Sequence, residues 1–128
     1  MAKLTGRCFC GAVTLRFSGD VLRTLHCHCE SCRRATSSAV ASFFTVRGAD
    51  AVLEGESLSF YSSSPGVLRG FCNRCGSQMS YQTEARPAEI DLYVASLEDS
   101  TGITMDGHSY WDERVHWLNV VDDLPKDL

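Results

Sequence analysis

The segment Cys27-His28-Cys29-Glu30-Ser31-Cys32 places three cysteines close together in a chain of 128 residues. Outward from this segment, residues 8–10 read Cys-Phe-Cys and residues 72–75 read Cys-Asn-Arg-Cys, and all seven cysteines fall in these three clusters. Cysteines two positions apart can rarely meet disulfide geometry, and a disulfide framework favours an even count. The clusters therefore indicate thiolate ligands for metal ions, and the short knuckles favour zinc.

The number of cysteines indicates how the ligands are divided. A closed structural zinc site takes four ligands, whereas three thiolates leave one coordination position for another group. The closed, structural site is predicted to comprise Cys8, Cys10, Cys72 and Cys75. The open site, which is also the candidate catalytic site, is predicted to comprise Cys27, Cys29 and Cys32. Joining the first knuckle to the middle cluster instead would leave an awkward remainder.

Other side chains near the middle cluster have two interpretations. A histidine could complete the second site as a structural one, because three cysteines plus one histidine is a common ligand set. His28 lies between two ligand cysteines, so we expect its side chain to point away from their metal, in an outer or surface position. Arg33 and Arg34 follow at once. A solvated basic pair is favoured there, but the pair could also neutralise an anionic zinc–thiolate centre.

Bulk properties limit the class of protein. A length of 128 residues with 44% hydrophobic residues and three prolines predicts one domain spanning residues 1–128. We find no signal sequence and no apolar run near the ~18 residues of a membrane span, which predicts a cytoplasmic protein with no membrane partner. The net charge is −4, and metal-bound thiolates make it more negative still. A nucleic-acid partner is not expected, because no clustered basic face is present.

Alternating hydrophobic residues predict a mainly β chain. In Val13-Thr14-Leu15-Arg16-Phe17, apolar and polar residues alternate between two glycines, as in a half-buried strand. Further strands are predicted at residues 21–27, 40–46, 58–61, 67–71 and 89–95, and the residues just after the last knuckle are expected to continue as strand. Short helical turns are predicted at residues 30–36 and 97–99, and a turn at residues 62–66.

The three motifs together resemble the glutathione-dependent formaldehyde-activating enzyme family, which includes centromere-protein-V-like proteins. The resemblance is carried by residues 7–13 (Arg-Cys-Phe-Cys-Gly-Ala-Val), 27–33 (Cys-His-Cys-Glu-Ser-Cys-Arg) and 71–77 (Phe-Cys-Asn-Arg-Cys-Gly-Ser). It runs nearly the whole chain and includes the tail from His108 to Pro125. It implies a β-tent fold, in which antiparallel sheets are pinned by zinc.

The resemblance also implies an activity. The family's first and last knuckles match the structural zinc, and its second zinc matches Cys27, Cys29 and Cys32. The expected reaction is carbon–sulfur lyase chemistry on the adduct of formaldehyde with a small-molecule thiol, glutathione. The alternative is a zinc-stabilised protein-binding module without catalysis, similar to a zinc-binding chaperone of small GTPases. Chromatin association, as in the centromere-related relatives, fits poorly with the acidic balance.

Overall fold

Residues 2–128 contain ten strands and one α-helix, and the fold is mainly β as predicted. The computed structural model describes residues 2–128. The elements are β1 (Ala2–Arg7), β2 (Thr14–Gly19), β3 (Arg23–Cys27), α1 (Glu30–Thr36), β4 (Ala41–Arg47), β5 (Ala51–Glu54), β6 (Leu58–Ser64), β7 (Val67–Cys72), β8 (Gln78–Thr83), β9 (Glu89–Tyr93) and β10 (Gly107–Ser109). Single 3-10 turns occur at Gly48–Asp50, Val94–Ser96 and Trp111–Glu113.

The strands form two sheets of different size. The smaller sheet has three antiparallel strands in the order β1-β2-β5. The larger has seven strands in the order β10-β3-β4-β9-β8-β7-β6. Its pairs are antiparallel except for β10, which runs parallel to β3. No helix within residues 2–128 has the length and hydropathy needed to cross a membrane.

One face of the larger sheet packs against the smaller sheet. Phe44 of β4 and Leu92 of β9 are fully buried partners in the ladder, and Leu15 and Phe17 of β2 pack in the same core. The rings of Phe17 and Phe44 have centroids 6.3 Å apart. Because alternate residues of a strand point to one face, the predicted alternation of β2 becomes a strict alternation of exposed and buried residues.

The other face of the larger sheet carries polar and aromatic side chains. Directly opposed residues of neighbouring strands share a face. The register pairs Thr45 of β4 with Asp91 of β9, Asp91 with Tyr81 of β8, and Tyr81 with Arg69 of β7. This row crosses four strands, and it positions the site described below.

The structure corrects several predicted boundaries. The helical turn expected at residues 97–99 is wrong, because Leu97 bridges to Gly6 of β1 and the 3-10 turn lies earlier, at Val94–Ser96. Strand β6 extends through Ser64, so the turn after it is confined to Pro65 and Gly66. The strand predicted at residues 89–95 is shorter, because β9 ends at Tyr93. The sequence patterns did not predict β1, β5 or β10.

Candidate metal centres

Four cysteine sulfurs converge where the first and last knuckles meet. The Sγ atoms of Cys8 and Cys10 lie 3.7 Å apart, and those of Cys10 and Cys72 lie 3.8 Å apart. Together with Cys75, all four sulfurs lie within 4.8 Å of one another. Tetrahedral coordination with metal–sulfur bonds of ~2.3 Å places sulfurs ~3.8 Å apart. The group therefore has the spacing of a closed, four-thiolate metal site.

Tight turns and polar contacts hold these sulfurs in place. Gly11 and Gly76 follow the knuckles with φ of 83° and 81°, a left-handed conformation that glycine adopts without strain. The backbone N–H of Val13 donates to Cys8 Sγ at 3.2 Å. The Ser77 hydroxyl lies 3.1 Å from Cys75 Sγ, and its hydrogen bond lowers the pKa of that thiol to about 5.

The four-cysteine group links the two sheets. Cys8 and Cys10 directly follow β1 of the smaller sheet, whereas Cys72 ends β7 of the larger one. Cys8 and Cys72 are 2% and 0% exposed, and both belong to the main core. A metal ion here would connect segments more than 60 residues apart in sequence, which suits a structural role.

Three further sulfurs converge at the junction of β3 and α1. Cys27 is the last residue of β3, Cys29 is the N-cap of α1, and Cys32 lies in its first turn. Their Sγ atoms lie within 4.8 Å of one another. The backbone N–H of Cys32 donates to Cys29 Sγ at 3.3 Å. These soft donors form a second group that could hold a metal ion.

Charge is unevenly shared within the three-cysteine group. Hydrogen bonds from the thiols of Cys27 and Cys32 lower the pKa of Cys29, while the same contacts and burial raise the pKa of Cys32. A metal ligand must be deprotonated. Binding a metal would therefore release protons from thiols of this group.

No histidine joins the three-cysteine group in the part of the chain from residue 2 onward. His28 does point away from the sulfurs, but it is 2% exposed and so has no surface role. Its Nε2 lies 2.8 Å from Nδ1 of His108, whose Nε2 lies 2.8 Å from Asp122. Asp122 accepts from His108 Nε2–H, so the three side chains form one hydrogen-bonded chain that ends on a carboxylate. Burial, followed by the nearby His108, lowers the pKa of His28 to about 4.

A cavity of about 690 Å³ opens beside the three-cysteine group. All three cysteines line it, and the polar row Thr45, Asp91, Tyr81 and Arg69 forms part of its wall. Residues 109, 110, 113 and 128 of the C-terminal segment close another side. The volume lies within the range of small-molecule sites.

The cation next to the sulfurs is Arg69, which the sequence reading missed. Its Nη2 lies 3.8 Å from Cys32 Sγ, and its side chain is buried. The proposed candidates, Arg33 and Arg34, do not approach the sulfurs in this way: Arg33 Nε donates to the backbone oxygen of His28, and Arg34 forms an exposed ion pair with Glu30. The one sequence signal for Arg69 is a charged residue inside the apolar run Val67-Leu68-Arg69-Gly70-Phe71.

Arg23, Arg86 and Asp91 line another part of the cavity, and carboxylates balance the charges of both arginines. Arg86 lies 2.8 Å from an Asp91 carboxylate oxygen and 2.9 Å from one of Glu89, while Arg23 lies 2.8 Å from Glu89. The hydrogen bond from Arg86, opposed in part by desolvation, lowers the pKa of Glu89. This part of the cavity therefore offers both guanidinium donors and carboxylate acceptors.

A larger depression of about 810 Å³ lies elsewhere, between the end of α1 and residues 76–79. Of the cysteines only Cys8 lines it, and the sulfur of Cys8 already belongs to the four-cysteine group. The smaller cavity is the candidate functional site, because three thiol side chains line it.

The model of one family matches the chain over residues 3–113: glutathione-dependent formaldehyde-activating enzyme. The chain belongs to this family. It is also 28% identical over 116 residues to an uncharacterised lyase of Schizosaccharomyces pombe, covering 89% of the chain and 82% of the relative. A crystal structure of a Rhodobacter sphaeroides protein is similar, with a TM-score of 0.62, 29% identity, and coverage of 78% of this chain and 90% of that one.

Membership of the formaldehyde-activating family fits the cysteine geometry. The matched region contains all seven cysteines, both metal-binding groups and the row of residues from Thr45 to Asp91. Two cysteine groups that could hold metal, in a family of this name and with a lyase-named relative, agree with a zinc-binding enzyme.

Proposed function

We propose that this protein is a zinc-dependent carbon–sulfur lyase-type enzyme that acts on the glutathione adduct of formaldehyde or of a related carbonyl compound. The observation that carries the proposal is the convergence of Cys27, Cys29 and Cys32 at the wall of a small-molecule cavity with a buried arginine beside them. The same proposal assigns Cys8, Cys10, Cys72 and Cys75 to a structural zinc.

The reaction joins a thiol sulfur to the carbonyl carbon. A carbon–sulfur bond forms, the carbonyl π bond breaks, and the oxygen takes up the proton that the thiol loses; the lyase direction reverses these changes. When bound, zinc would supply the Lewis acidity that lowers the pKa of a thiol and orients it. Cys27, Cys29 and Cys32 would hold the ion at the wall of the cavity.

The polar composition of the cavity supports glutathione as the thiol. Glutathione carries two carboxylates and one ammonium group. Arg23 and Arg86 line the cavity, and a glutathione carboxylate could take the place of their present partners Glu89 and Asp91 in the paired manner that guanidinium groups favour. Asp91, which also lines the cavity, would then be free to accept from the ammonium. Arg86 pairs with Asp91, which lies two strands from Arg69 in the row.

Exchange spectroscopy tests the activity. Wild-type protein mixed with glutathione and formaldehyde should accelerate exchange between free formaldehyde and S-hydroxymethylglutathione above the buffer rate. Cys29→Ser should fail to accelerate it, whereas Cys10→Ser is unsuitable as a control because it removes a structural ligand. Arg16→Gln, on the smaller sheet and half exposed, is the matched control and should keep the wild-type rate.

Two outcomes would count against the enzyme. Equal exchange rates with and without wild-type protein would favour the alternative of a protein-binding module in which both metals are structural. Acceleration that survives in Cys29→Ser would place the reaction outside the three-cysteine group.

A further inference from the structure

Arg69 is buried to an unusual degree for an arginine. Its residue is 1% exposed, and charged side chains are almost never this buried unless they are paired. The guanidinium stacks on the Tyr81 ring at 4.8 Å, and Nε donates to the Ser63 hydroxyl at 3.0 Å. Tyr81 and Ser63 are neutral, so they contact the guanidinium without balancing its positive charge.

No carboxylate balances Arg69 within residues 2–128. None of the ion pairs in that part of the chain includes it. Asp91, two strands away in the same row, is already paired with Arg86. Nη1 of Arg69 has no hydrogen-bond partner, and Nη2 donates to the sulfur of Cys32. Burying an unpaired charge is costly, so the balancing charge must come from the cysteines.

We propose that Arg69 is a positioning residue: it is the counter-charge of the three-cysteine centre and sets that centre's affinity for its metal ion. Three thiolates around a divalent cation leave one net negative charge, and the guanidinium supplies one positive charge at its edge. The assembled centre is then neutral. A neutral centre can accept an anionic fourth ligand such as a thiolate, which a centre already bearing a negative charge would repel.

The position of Arg69 supports a specific action on Cys32. A guanidinium N–H that donates to a ligand sulfur stabilises the thiolate and fixes its orientation, as outer partners of metal ligands commonly do. The site could not use Arg33 or Arg34 for this purpose, because their guanidinium groups are engaged with the backbone and with Glu30. This inference rests on the metal-binding part of the proposed function and requires no particular substrate.

The test measures zinc affinity rather than catalysis. The second zinc of the two-zinc protein is removed with a chromophoric chelator, and its dissociation constant is compared for wild type, Arg69→Lys, Arg69→Met and Arg23→Met. Arg69→Met keeps most of the aliphatic stem but no charge. We expect it to weaken the second zinc by about 10- to 100-fold. Arg69→Lys should recover most of that loss.

Two internal controls accompany this comparison. Arg23→Met removes a guanidinium that lines the same cavity but pairs with Glu89, and it should keep the wild-type zinc affinity. The zinc of the four-cysteine group should be retained equally in every variant. Thermal melts should show Arg69→Met lowering the melting temperature of the two-zinc form more than that of the one-zinc form.

The proposal would be overturned if Arg69→Met held the second zinc as tightly as wild type, or if the lysine and methionine variants lost affinity equally. It would also be overturned if neither Arg69→Met nor Arg69→Gln folded with the four-cysteine zinc in place, since Arg69 would then be a packing residue. Neither glutathione nor formaldehyde enters the measurement, so a failure of the proposed reaction would leave this result standing.

Discussion

The four-cysteine group lies between the two sheets, whereas the three-cysteine group lies beside a cavity on one face of the larger sheet. In the first, sulfurs from segments far apart in sequence converge where β1 and β7 end. In the second, all three ligands come from one short segment at the junction of β3 and α1. The same residue type thus joins distant chain segments in one group and lines a cavity in the other.

The surroundings of the sulfurs reinforce this difference. Serine hydroxyls, which are neutral donors, contact Cys72 and Cys75. Four thiolates around one zinc ion would carry two net negative charges, with no cation in these contacts. The three-cysteine group has the buried guanidinium of Arg69 instead. A structural zinc site needs only to be stable. A site that accepted an external thiolate would also need a positive charge nearby, as Arg69 supplies beside the three-cysteine group.

The largest expected effect separates the two groups by stability. Cys75→Ser should unfold or aggregate the protein, because a structural zinc site contributes on the order of 10 kcal/mol to folding. Cys29→Ser should leave the fold largely intact and lose about one zinc. Thermal melts with metal analysis decide this. A Cys29→Ser variant that collapses as completely as Cys75→Ser would show that both groups are structural.

A smaller effect is expected at the buried histidine pair. His108 is 0% exposed and joins His28 to Asp122, and its backbone also pairs with Pro125 and Leu128. His108→Ala should lower the free energy of unfolding by about 2 to 4 kcal/mol, because it leaves a void and takes away the hydrogen-bond partner of the buried His28 Nε2.

Urea unfolding measures the change at His108. Since neither histidine belongs to a cysteine group, both zinc ions should be retained. The exposed His116 provides the matched control, and His116→Ala should change stability by less than about 0.5 kcal/mol. Loss of a zinc from His108→Ala would show that the histidine pair supports a metal site directly.

The sequence predicted the elements whose signal is local. Alternation identified β2, and the knuckle spacing identified both cysteine groups. Strand β1 lacks clear alternation, since its residues read Ala-Lys-Leu-Thr-Gly-Arg, and β10 has only three residues. Neither leaves a periodic pattern long enough to detect.

The parts of the site that the sequence did not predict depend on contacts made by folding. His28 and His108 are 80 residues apart, and the burial of Arg69 arises from the register of β7 with β8. The sequence favoured a solvated basic pair at Arg33 and Arg34, with charge neutralisation as the alternative, whereas the fold brings Arg69 to Cys32 from 37 residues away. Spacing reveals ligands, whereas the charge around them is set by tertiary structure.

The smallest expected effect concerns the ion pairs that Glu89 forms with Arg23 and Arg86. The native pKa of Glu89 is below its ordinary value of 4.5, so the carboxylate stabilises the fold above that value and loses the contribution as the pH falls below it. Glu89→Gln should therefore be less stable than wild type at neutral pH, and the two should converge in acid. Melting curves from pH 7 to pH 3 test this. A stability difference that stays constant over that range would contradict the assignment.

The central claim is that the three-cysteine group, unlike the four-cysteine group, accepts an external thiol. The direct measurement is the absorption spectrum of cobalt-substituted protein during a glutathione titration. A new sulfur ligand should strengthen the thiolate-to-cobalt absorption of wild type, and Cys29→Ser, which retains only the four-cysteine cobalt, should show no change. A wild-type protein that holds two cobalt ions and gives the same spectrum at every glutathione concentration would contradict the account.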